Sequence, residues 1–254
     1  MTAGVDASSQ PLPPTAAEPK PNPWQRIAGV FFSPNETFQS IARRPDIIVP
    51  LLILLLCSVV TGIAVGTRVD FAAAAMENMP PDAPADRAEA GAKMAQTFGR
   101  IFAFSSPVLV LIGLTIIAGV LLIAFRIMGG EGNYKQAFSG NVYASFPSVL
   151  KGLIMAVVLF ARSGVGAQEM DILVRSNPAF FVEQKVHPIL FSFLTSLDIF
   201  TIWYVILLVI GFAAISRFPK AKAAAIIITL WVIAVVIKLG FVGLGVMMRS
   251  KAGA

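Results

Sequence analysis

The chain has 254 residues, of which 13% are charged and 56% hydrophobic, with a mean hydropathy of +0.77. A soluble domain carries about 25% charged and about 45–50% apolar residues, so this composition argues against a soluble enzyme, a nucleic-acid-binding domain or a disordered chain. It points to an integral membrane protein. The net charge of +6 is no nucleic-acid footprint, because the basic residues come as doublets such as Arg43–Arg44 and not as runs. Basic residues at membrane edges are expected in any case, and no nucleic-acid partner is expected. A single cysteine, Cys57, makes an intrachain disulfide impossible.

Residues 1–23 hold six prolines among Ala, Ser and Thr. Such a stretch buries too little apolar surface to offset its ordering entropy and reads as a disordered tail. A proline-rich ligand for a partner domain is the other reading. Residues 24–45 read as an interfacial amphipathic segment. Phe38 and Ile41 fall on one helical face, Ser33 and Glu36 are spaced to form a reciprocal cap over Pro34, and Arg43–Arg44 suit the helix C-terminus.

The charge gaps then set the spans. No charge falls in 47–67, 101–125 or 199–216, and 136–161 and 223–248 are each interrupted by one lysine. About 20 apolar residues cross a ~30 Å hydrocarbon core at ~1.5 Å per residue. Five transmembrane helices are predicted, near 47–67, 101–126, 136–161, 189–216 and 223–248, followed by a tail over 250–254. The first loop, 68–100, is long and mildly acidic, and Pro80-Pro81-Asp82-Ala83-Pro84 breaks it into two helical extensions. The second, 127–135, is a glycine-rich turn closed by Gln136, and the fourth, Arg217–Lys222, is short and basic. Lys and Arg tie at nine on each side of the membrane, but those at the N-terminal side crowd the helix ends. That crowding favours a cytoplasmic N-terminus and an external C-terminus.

Several segments together resemble the Yip family, the five-pass membrane proteins that interact with Rab-type GTPases, and its short prokaryotic members in particular. They are Phe32-Ser33-Pro34-Asn35-Glu36-Thr37-Phe38, Met128-Gly129-Gly130-Glu131-Gly132-Asn133-Tyr134, Tyr143-Ala144-Ser145-Phe146-Pro147 and Leu197-Asp198-Ile199-Phe200-Thr201-Ile202-Trp203. The resemblance covers about residues 31–245. It implies a cytoplasmic N-terminus, with trafficking-type adaptor roles in eukaryotic members and mostly undefined roles in prokaryotic ones. The Pro- and Ala-rich tail lacks the acidic, aromatic segment of eukaryotic members, which leaves binding of a Rab-type GTPase doubtful.

Reactive residues are few. The only histidine, His187, precedes Pro188 and reads as a loop residue, and with one cysteine the chain has no Cys/His zinc set. No hydrolase or nucleotide-binding signature occurs, so no catalytic residue, metal or cofactor is expected. Gly62 and Gly66 match a small-xxx-small pattern that lets helices approach closely, within the chain or between copies.

Three ionisable residues fall inside predicted spans: Lys151, Asp198 and Lys238. Each lies eleven residues from the polar residue that ends its span on the same side (Arg162, His187 and Arg249). That spacing predicts a common depth of ~16 Å. Isolated charges there are costly and usually pair or line water. The three could form a polar cavity for an anion, a lipid headgroup or a proton relay, with hydrogen bonds from Asn141, Tyr143, Ser145, Ser192, Thr195 and Thr201. Equally, they could form a structural ion pair, or the lysines could snorkel.

The sequence thus predicts an all-α, five-span membrane protein with a short N-terminal interfacial helix, placed in a bacterial inner membrane. The leading function is a non-enzymatic adaptor or organising protein in trafficking or membrane homeostasis. Its expected partners are membrane lipids and an unidentified protein, and a homo-oligomer remains open. The alternative is a small transporter or channel using Lys151, Asp198 and Lys238.

Overall fold

The computed structural model describes residues 22–77, 79, 83–162 and 164–252, the last four by backbone only. The expected disordered tail therefore lies outside the described residues up to residue 21, as do Pro80, Pro81 and Asp82 of the first loop and the last two residues of the C-terminal tail.

Twelve α-helices make up the described chain. They are α1 (Pro23–Phe32), α2 (Pro34–Arg43), α3 (Ile48–Arg68), α4 (Phe71–Glu77), α5 (Ala85–Phe104), α6 (Ser106–Ile127), α7 (Tyr134–Ala144), α8 (Phe146–Ala161), α9 (Met170–Leu173), α10 (Pro188–Thr195), α11 (Ile199–Ser216) and α12 (Lys220–Ala252). Two short parallel strands, β1 (Val69–Asp70) and β2 (Val165–Gly166), clip the first loop to the third. Five helical segments are long and apolar enough to cross a membrane: α3, α6, the pair α7–α8, α11 and α12 up to Met248. The protein is an all-α polytopic membrane protein.

Several boundaries differ from the sequence expectation, and prolines account for two of them. The second span begins at Ser106 and not at residue 101, because Pro107 restarts the helix after Ser105 and residues 101–104 close α5 instead. The third span extends over 134–161 and is broken at Ser145, again with a proline, Pro147, near the start of the new helix. Proline lacks the N–H that a helix interior needs but suits its first turn. The predicted fourth span, 189–216, is two helices, α10 and α11, separated by residues 196–198, and α11 is the one long and apolar enough to cross. The C-terminal residues expected as a tail continue α12 to Ala252.

The segment before the first span also differs. It holds two helices, and Ser33 makes no capping hydrogen bond. Asn22 caps α1 through the amide of Trp24, and Thr37 Oγ1 donates to the Ser33 carbonyl. The apolar face of α2 packs into the bundle. Phe38 and Ile41 are fully buried, and Phe38 sits in a notch at Gly211 of α11, where a Cβ would lie 2.8 Å from its ring. Phe31 meets Trp203 edge-on at 5.2 Å in the first half of α11. The helix pair thus runs along α11 and joins the main core, with Val30, Phe125, Tyr143, Leu207 and Phe212.

Gly62 and Gly66 face the junction of α5 and α6. A Cβ at Gly62 would land on the Ala103 carbonyl and the Ser106 hydroxyl, and one at Gly66 would lie 2.8 Å from the Phe104 ring. The Ser106 hydroxyl donates to the Ser58 carbonyl at 2.9 Å across the same junction. In this structure the pair therefore serves contact within the chain.

Candidate functional site

The break in the fourth span builds the site. Asp198 is not inside a helix, as the sequence suggested, but is the N-cap of α11, accepting a hydrogen bond from the Phe200 amide at 2.9 Å. A carboxylate there complements the helix dipole and satisfies an otherwise orphan amide. Its second oxygen accepts from Lys151 Nζ of α8 at 2.8 Å and from the Ser176 hydroxyl of the third loop. Ile199 N donates to the Ser176 carbonyl at 3.0 Å, so that loop is pinned to the break through both groups of one serine. Asp198 is 1% exposed, and Lys151 is 30% exposed.

Lys238 corrects the three-residue cluster. It is not bonded to Asp198. Its ammonium donates to the Ser192 carbonyl at 3.0 Å, to Thr195 Oγ1 at 2.8 Å and to Ser196 Oγ at 3.2 Å. These acceptors lie in and just past the last turn of α10, where a cation meets the negative end of the helix dipole. The spacing argument for a common depth assumed an unbroken helix from His187 to Asp198, whereas α10 ends at Thr195 and a turn intervenes. Two separate fasteners result, one joining α8 to α11 and the third loop, the other joining α12 to α10.

The other polar groups are used elsewhere. Tyr204 donates to Asn141 Oδ1 at 2.8 Å while Asn141 Nδ2 donates to the Leu114 carbonyl at 3.1 Å, which links three spans. Ser145 donates to its own helix at Asn141. Tyr143 turns to a constellation that sequence reasoning missed. Arg26 of α1, 5% exposed, donates to the Asp46 carboxylate, the Arg44 carbonyl and both oxygens of Ser40, while Tyr143 donates to the other Asp46 oxygen at 2.7 Å. The Ser139 hydroxyl donates to the Asp46 carbonyl at 2.6 Å. The single acid among the basic residues just before the first span was the available signal.

Chemically, these sites are closed. Each carboxylate is engaged by protein donors, and among the described residues no group of three His, Cys, Asp or Glu side chains is arranged to hold a metal. The geometry anchors helix breaks and ties α1 and α2 to the bundle.

Comparison with curated proteins and with solved structures returns no match. A family model, described as the Yip1 domain, matches residues 28–241. That stretch starts within α1 and ends within α12, so it takes in four spans whole, most of the fifth, the break ahead of α11 and both fasteners. The chain belongs to the Yip1 domain family of membrane proteins.

Proposed function

We propose that this protein is a non-enzymatic membrane adaptor or organiser, acting through contacts of its spans and ends with a protein partner and with lipids. The observation that carries the reading is how the intramembrane charges are used. Asp198 is buried with three donors on it, and Lys238 has three acceptors. Charges committed to fastening helices leave apolar faces as what the spans offer outward. The least buried of the five spans is α12, where Ile228, Val232, Val236, Ile237 and Phe241 are exposed. The family and the five spans support this reading. The placement that fits it is a bacterial inner membrane, N-terminus cytoplasmic and C-terminus external, with the basic helix ends Arg126, Arg217, Lys220 and Lys222 inside. Photo-crosslinking from Val236 and Phe241 in native membranes tests it. A discrete protein adduct, a partner or a second copy, is expected, and lipid adducts alone would count against it.

A further inference from the structure

A second polar feature lies at the basic end of the bundle. A cavity of about 580 Å³ opens between α2, the turn joining α6 to α7 and the end of α11. Gln39 and Arg43 line it from α2, Glu131, Asn133 and Gln136 from the turn and the start of α7, and Arg217 from the end of α11. We propose that this cavity seats the phosphate headgroup of an anionic membrane lipid.

The walls are held in place by the chain itself. Gln136 Nε2 donates to the Ala42 carbonyl at 2.6 Å, fixing α2 to α7, and Asn133 and Gln136 close a reciprocal cap. Arg126 holds the Gly132 carbonyl at 2.7 Å, and Glu131 N donates to the Ser216 carbonyl. Gly132 has φ +108, and a Cβ there would lie 2.7 Å from Ile215, so only glycine lets the turn come this close to α11.

Two arginines and one glutamate give the cavity a net charge of +1, which suits one phosphodiester. Glu131 takes Arg217 Nε at 3.2 Å and aligns that guanidinium without neutralising the cavity. Arg43 and Gln39, one turn apart on α2, have no protein partner among the described residues. Arg217 sits at φ 54, in the left-handed conformation where a helix end normally carries glycine. The arginine at that position lines the cavity with a guanidinium at a backbone cost. The depth also fits. The cavity lies where α6 and α11 end and α7 begins, the level of lipid phosphates for helices that span the core. Basic pockets between spans at such a level recognise anionic headgroups. This inference stands whether or not a protein partner exists.

Native mass spectrometry of the full chain, with phosphatidylglycerol competing against phosphatidylcholine, tests it. Retention of phosphatidylglycerol is expected to fall about tenfold in Arg43→Gln, the loss of one charge-assisted contact to phosphate. Arg217→Gly is expected to lose the lipid to a similar extent while raising thermal stability, because it relieves the backbone. That combination separates ligand loss from misfolding. Lys220→Gln, exposed at the same end but outside the cavity, should retain the lipid. Equal retention in the arginine variants, or equal loss in Lys220→Gln, would overturn the site. Stabilisation by inorganic phosphate or glycerol phosphate as strong as by the lipid would overturn the assignment to a membrane lipid.

Discussion

Asp198→Asn isolates the charge of the fastener, because asparagine keeps the shape and still caps the Phe200 amide. Removing one partner of a fully buried ion pair costs about 3–5 kcal/mol, mainly by stranding the other charge. Here the stranded group is Lys151, 30% exposed, whose stem can carry its ammonium toward water. We therefore expect a loss of about 2 kcal/mol. For a chain of this size that lowers Tm by about 5 °C, measured by thermal unfolding in detergent. Lys151→Met should cost more, because it strands a carboxylate that is 1% exposed. The double variant Lys151→Met/Asp198→Asn should recover part of the loss, with a coupling of about 1–2 kcal/mol. A shift below about 1 °C for Asp198→Asn, or strict additivity in the double variant, would refute the fastener.

Arg26→Ala leaves the Asp46 carboxylate with the Tyr143 hydroxyl alone and should cost about 3 kcal/mol, with α1 cleaved faster in limited proteolysis. Tyr143→Phe removes one hydrogen bond from the same carboxylate and should cost about 1 kcal/mol, read from Tm. Gly62→Val would drive a side chain into the Ala103 carbonyl and should lower the folded yield by size-exclusion profile, at about 2–3 kcal/mol. Gly113→Ala, where nothing lies within 4 Å, should leave the profile unchanged. Lys238→Met should cost about 1–2 kcal/mol, read from Tm, because it removes the ammonium that binds three acceptors at the end of α10 within a span, where lipid offers no other donor.

The five spans were legible because lipid imposes one rule along the chain: charges fall where helices leave the hydrocarbon core. Gaps in the charge pattern gave α3, α6, α7–α8, α11 and α12 within a few residues. The breaks were harder to see because hydropathy averages over them. The sequence carried their local signals, a proline two residues after Ser105 and after Ser145, and the cap-type residue Asp198 ahead of α11. Reading Asp198 only as an intramembrane charge hid its role as a helix cap. The pairing of Lys151 with Asp198 was among the readings that sequence left open, whereas the partners of Lys238 depend on how α10 packs along α12 and have no linear pattern. The Arg26–Asp46–Tyr143 constellation joins residues far apart in sequence, and only the packing of α1 and α2 against α7 and α11 brings them together.

Flux in proteoliposomes bears most directly on whether Lys151, Asp198 and Lys238 fasten helices or conduct. Vesicles carrying the wild-type protein, under a pH gradient and under an anion gradient, should leak no faster than protein-free vesicles, and Asp198→Asn should behave the same. A proton or anion flux present in the wild type and abolished by Asp198→Asn would contradict the reading and make the protein a transporter.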